Sequence, residues 1–191
     1  MAGRAAIPLQ PDRESLIKLH LHWLNGAALA GSAVFFGRHP DYGFAAVAMM
    51  LFLPLLDEGW RTPVLPRRPR QFGVSAALLA AGIALLVWRP ELAGFAASTL
   101  FFAALPEEWF FRAYFMTRIG DGLRSNLIAS LLFALMHGLT RDWATAALVF
   151  VPSLFYGWLY QRTRDIVLVV LVHALSNLFY AAFIARIMPE W

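Results

Sequence analysis

The chain contains no cysteine, which excludes disulfides, thiol nucleophiles and cysteine metal sites. Charge is nearly as scarce. Only 15% of the residues are charged against 60% hydrophobic, whereas a soluble domain carries roughly 25% charged residues, and the mean hydropathy is +0.59. No internal repeat or low-complexity tract interrupts this composition. The opening MAGRAAIPLQPDRESLIK carries both charge signs and two prolines, unlike a cleaved signal peptide. A net charge of +4 and a pI of about 10.0 do not indicate a nucleic-acid partner, because the basic residues sit in loops between apolar blocks. The bilayer is therefore the solvent to reason with, and 1–191 reads as one integral membrane domain.

Seven apolar helical segments are expected, over 16–36, 42–56, 72–88, 92–116, 125–139, 143–160 and 166–187. This is an all-α polytopic transmembrane bundle of about seven spans, within a range of six to eight. Cytoplasmic loops are enriched in Lys and Arg, and the loops here alternate accordingly. One side receives Arg4, Arg13, Lys18, Arg61, Arg67, Arg68, Arg70, Arg118, Arg124, Arg162 and Arg164; the other receives Arg38, Arg89, Arg141 and Arg186. The expected orientation has the N-terminus cytoplasmic and the C-terminus outside. The first segment is the most polar, with His20, His22 and Asn25, and an interfacial helix there is the alternative to a span. His20, His22 and His39 read as interfacial or loop residues, and Asp57 and Glu58 as surface-paired charges. Trp60, Trp88, Trp143 and Trp191 lie near segment ends, where amphipathic rings favour the headgroup region. Pro54, Pro106 and Pro152 fall within or beside apolar segments and free backbone groups there.

One basic residue, Arg112, falls inside a span, in the run FFAALPEEWFFRAYFM. Together with Glu107 and Glu108 it would cost on the order of 8 kcal/mol to insert unpaired, at about 2.5–3.5 kcal/mol each. Glu108 and Arg112 are four apart and share a helix face, in the order that favours an ion pair. Glu107, rotated about 100° away, has no partner on its own helix. Two further spans carry imidazoles: Phe133 and His137 are four apart, as are His173 and Asn177. On the expected topology Glu107, His137 and His173 lie very roughly 13–20 Å from the cytoplasmic boundary at 1.5 Å per residue. Three helices thus bring polar groups to a similar level. A carboxylate with an imidazole can deprotonate water, and an imidazole with a carboxamide can donate to the oxyanion of a tetrahedral intermediate. That is equipment for peptide hydrolysis.

The run Glu107-Glu108-Trp109-Phe110-Phe111-Arg112, followed by Phe133 to His137 and His173 to Asn177, resembles the EExxxR, FxxxH and HxxxN (or HxxxB) motifs of the CPBP intramembrane proteases. That group includes the type II CAAX prenyl endopeptidases and bacteriocin-immunity homologues. The likeness covers a protease core of about 98–180. By this resemblance Glu107 activates the water with His137 assisting, His173 and Asn177 form the oxyanion hole, and Glu108, Arg112 and Phe133 support them. It implies a glutamic-type endopeptidase without a cofactor. A zinc alternative would draw on Glu107, Glu108, His137 and His173, although an HExxH helix is lacking. Ala113 stands where relatives commonly have glycine, and the EEWFFR core resembles compact prokaryotic members of the JDVT-CTERM C-terminal sorting type. The resemblance thus implies a prokaryotic inner or plasma membrane, lipid surroundings and a membrane-anchored protein or peptide substrate cut near its C-terminal or membrane-embedded part. The readings of another class are a transporter or immunity-type binding protein that uses the buried Glu/His/Arg cluster as an ion path, and a structural membrane scaffold.

Overall fold

The structure, a computed structural model, describes residues 13–39, 43–63 and 69–185. Every described element is helical. We number seven helices in chain order: α1 Arg13–Arg38, α2 Gly43–Phe52, α3 Pro69–Trp88, α4 over 93–119, α5 Leu123–Thr140, α6 Trp143–Thr163 and α7 Ile166–Phe179. A 3₁₀ turn, Leu53–Leu56, extends α2, and a π-helical turn, Tyr180–Ile184, extends α7. The expected segments all fall on these helices. Arg4, Arg67, Arg68, Arg186 and Trp191 lie outside the described residues, as do Tyr42 and Ile187, the outer limits of the second and seventh segments.

Four helices among the described residues are long and apolar enough to cross a membrane: Pro69–Trp88, Leu123–Thr140, Trp143–Thr163 and Ile166–Ile184. The stretch Gly43–Leu56 is apolar but short. α3 has no buried residue, and large apolar side chains such as Phe44, Phe72, Val87 and Leu131 are exposed. Such a surface is stable only against lipid. The chain is an integral membrane protein.

α4 forms the centre. Its residues Phe110, Phe111, Tyr114, Phe115 and Met116 are buried, and they join Leu29 and Ala33 of α1, Phe133 of α5, Tyr156 of α6 and Val169 of α7 in one core. Pro106 lacks an amide hydrogen, and α4 is widened on both sides of it, into π-helical turns at Leu100–Ala104 and Trp109–Met116. Such widened turns recur at functional sites. α5 and α6 pack closely because Gly157 leaves room for Asn126, whose carboxamide donates to the Leu154 carbonyl at 2.9 Å. Asp142 caps α6 by accepting from the Thr145 amide at 2.7 Å, and Asp165 caps α7 by accepting from the Leu168 amide at 3.0 Å. Outside the spans, the Thr145 hydrogen bonds hold the Asp142 carboxyl below the usual carboxylate range.

Three expectations are corrected. His22 is no interfacial or loop residue: with Asn25 it is buried where α1 packs into the bundle. Asp57 is buried rather than surface-paired: it accepts from Arg118 Nε at 2.9 Å and from the Tyr114 hydroxyl at 3.2 Å. Asn25 in turn donates to Tyr114 at 2.7 Å, so a polar chain from three helical segments ties the bundle together. Trp60 is no lipid anchor, because its indole donates to the Ala113 carbonyl at 2.8 Å and packs on Trp109. The bare α-helical periodicity of each segment gave no sign of these partners, which come from other helices.

Candidate active site

The two glutamates of the first motif lie on α4 between its two widened turns, and Arg112 lies within the second, Trp109–Met116. Glu108 is fully buried, as is Arg112. Their closest approach, Glu108 Oε2 to Arg112 Nε, is 3.2 Å, an ion pair whose atoms are not aligned as a hydrogen bond. Arg112 also donates to Ser153 Oγ on α6 at 2.7 Å, and its guanidinium lies 5.4 Å from the centre of the Phe133 ring. A guanidinium this deep needs both a counterion and a hydrogen-bond acceptor, and Glu108 and Ser153 provide them.

Glu108 does more than hold its own helix. Its Oε1 lies 2.8 Å from His173 Nδ1 on α7. The other ring nitrogen, Nε2, stands 3.7 Å from Glu107 Oε2. Glu107 thus has a partner after all, but on another helix. A carboxylate lies on either side of His173, and Tyr156 stacks on the ring with centroids 4.8 Å apart and planes 21° apart. Because a carboxylate can only accept, Nδ1 carries a proton towards Glu108, and Nε2 pairs with Glu107 when the ring is an imidazolium.

On α5, His137 Nδ1 lies 3.0 Å from the Phe133 carbonyl. That oxygen can only accept, so Nδ1–H donates and the Nε2 lone pair is left to take a proton. On α7, Asn177 Nδ2 donates to Thr99 Oγ1 at 3.0 Å. Glu107, His137, His173 and Asn177 all line one cavity of about 540 Å³, together with Phe133 and Tyr156. Arg112 and Glu108 lie behind its wall rather than on it. Exposed lining residues, Arg141, Leu148, Tyr180 and Ala185, mark where the cavity meets the surface.

Sequence reasoning missed Ser153, Tyr156 and Thr99. Serine, tyrosine and threonine are ordinary residues of a membrane helix, and only Ser153 and Tyr156, three apart on α6, gave a spacing signal. Among the described residues no group of three or more His, Asp or Glu side chains is arranged to hold a metal ion. The guanidinium of Arg112 beside Glu108 also sets a positive charge where a zinc set would need two carboxylates.

No curated protein and no solved structure matches the chain. Residues 89–179 match the family model described as type II CAAX prenyl endopeptidase Rce1-like. That stretch holds all three motifs and the whole of α5 and α6. Over that stretch the chain is similar to the Rce1-like type II CAAX prenyl endopeptidases, a family of membrane proteases.

Proposed function

We propose that the chain is an intramembrane protease that hydrolyses a peptide bond near the C-terminal or membrane-embedded part of a substrate protein, using water activated by Glu107 and His137. The observation that carries the reading is the cavity shared by Glu107, His137, His173 and Asn177. Water in this cavity meets the Glu107 carboxylate and the free Nε2 of His137, both proton acceptors. Its attack on the scissile carbonyl forms a C–O bond and places negative charge on the carbonyl oxygen. The Asn177 carboxamide and, in its imidazolium form, His173 Nε2 are the donors available to that oxygen. Collapse expels the amine, which takes its proton from the group that accepted it from water.

Glu108, Arg112 and Phe133 are positioning residues. Glu108 fixes the His173 ring through Nδ1, Arg112 neutralises Glu108, and Phe133 supplies the carbonyl that sets the His137 tautomer. The protease core is the stretch of about 98–180, and it works without a metal. Lipid and a membrane-anchored protein are its partners. The exposed rim residues Arg141 and Ala185 belong to the arginine-poor side of the expected topology, which supports substrate access from the extracytoplasmic side, in a prokaryotic plasma membrane with the N-terminus cytoplasmic.

Cleavage of a membrane-anchored candidate substrate in proteoliposomes tests this. Glu107→Ala and His137→Ala are each expected to lower turnover by about 10²–10⁴-fold while the unfolding temperature stays near wild type. Turnover at the wild-type rate in either folded variant would refute the assignment. Activity that survives a strong chelator supports glutamate activation of water, and chelator-sensitive activity restored by zinc overturns it.

A further inference from the structure

At the α4–α5 end of the molecule, away from the catalytic cavity, a second cavity of about 370 Å³ is lined by His22, Trp23, Arg118, Arg124 and Ser125, together with the Gly120–Gly122 turn. Its features converge on an anion. α5 begins at Gly122 with no side-chain cap, so the amide hydrogens of its first turn are left for an external acceptor, and the helix dipole adds positive potential there. Gly120 and Gly122 hold φ of 147° and 149°, a conformation that L side chains rarely adopt, which keeps this turn bare. His22 is only 6% exposed, and its Nδ1 has no hydrogen-bond partner. A polar atom buried in this way costs roughly 1–3 kcal/mol unless something bonds it.

The charges around the cavity leave an excess of positive sign. Arg118 gives its Nε to Asp57 at 2.9 Å. Asp121, the carboxylate in the wall, pairs with Arg164. Arg124 is exposed and has no ion pair among the described residues. The flanking surface is apolar, with Trp23 44% and Leu123 72% exposed, as suits acyl chains beside a headgroup. We propose that this cavity is a binding site for the phosphate of an anionic phospholipid, whose headgroup meets Arg124, His22 and the open α5 N-terminus. The proposal is independent of the catalytic roles given above.

The test uses the full chain, purified in detergent and stripped of lipid, with native mass spectrometry as the readout. Phosphatidylglycerol should be retained about tenfold better than phosphatidylcholine, a difference of about 1.4 kcal/mol. Arg124→Glu should abolish that preference, His22→Phe should reduce it severalfold, and Arg162→Glu, on the same side but outside the cavity, should leave it intact. Equal retention of the two lipids, or equal losses in Arg124→Glu and Arg162→Glu, would overturn the site in favour of diffuse charge attraction. Inorganic phosphate raising the unfolding temperature of lipid-free protein through Arg124, without any phosphatidylglycerol retention, would overturn the lipid and assign the cavity to a free anion.

Discussion

The buried pair Glu108 and Arg112 illustrates what a single helix can and cannot reveal. Their four-residue spacing was enough to anticipate the 3.2 Å ion pair. The Glu108 bond to His173 was not legible, because it joins residues 65 positions apart and depends on how α4 and α7 pack. The same holds for Glu107, whose isolation on its own helix was real and whose partner came from α7. Removing one member of a buried pair leaves the other charge uncompensated. Glu108→Ala is therefore expected to destabilise the protein by about 3–5 kcal/mol, measured by unfolding in detergent, whereas Glu107→Ala, at the cavity wall, should leave stability nearly unchanged. Tyr156 acts through the face it lays on His173. Tyr156→Phe should preserve turnover, and Tyr156→Leu should lower it roughly two- to tenfold at constant substrate binding, as loss of about 0.5–1.5 kcal/mol of ring contact implies.

At the scale of elements, apolar block length located all seven helices, since continuous hydrophobic runs closed by Arg, Pro and Gly leave little choice in lipid. The widened turns of α4 were not readable in the same way. Pro106 announced a disturbance, but whether the helix kinks, breaks or widens is decided by neighbours such as Trp109, whose indole donates to the Leu51 carbonyl at 3.2 Å. His22 was misjudged for the opposite reason: a polar segment suggested an interface, yet His22 is buried and Asn25 beside it meets Tyr114 and the Leu53 carbonyl inside the bundle. The α5–α6 contact is the tightest test of packing. A side chain at Gly157 would collide with the Asn126 carboxamide, so Gly157→Leu should cost about 1–3 kcal/mol through overpacking and should lower turnover by moving His137 relative to α4. Unchanged unfolding in this variant would show that the two helices are not held as described.

For the whole molecule, the alternation of arginines between loops and the placement of the cavity rim make an orientation that can be measured. Since the chain has no cysteine, a single one introduced at Arg141 or Arg162 is its only thiol. A membrane-impermeant maleimide applied to intact cells should label Arg141→Cys and not Arg162→Cys; the reverse pattern would invert the topology and move substrate access to the cytoplasmic side. The proposed hydrolysis depends most on the carboxylate of Glu107. Its most direct test is single-turnover cleavage of a membrane-anchored substrate by Glu107→Gln protein, an isosteric change, in proteoliposomes with folding verified by thermal unfolding. The rate is expected to fall at least about 10²-fold below wild type with substrate binding retained. A Glu107→Gln enzyme that cuts within a few-fold of the wild-type rate would contradict it.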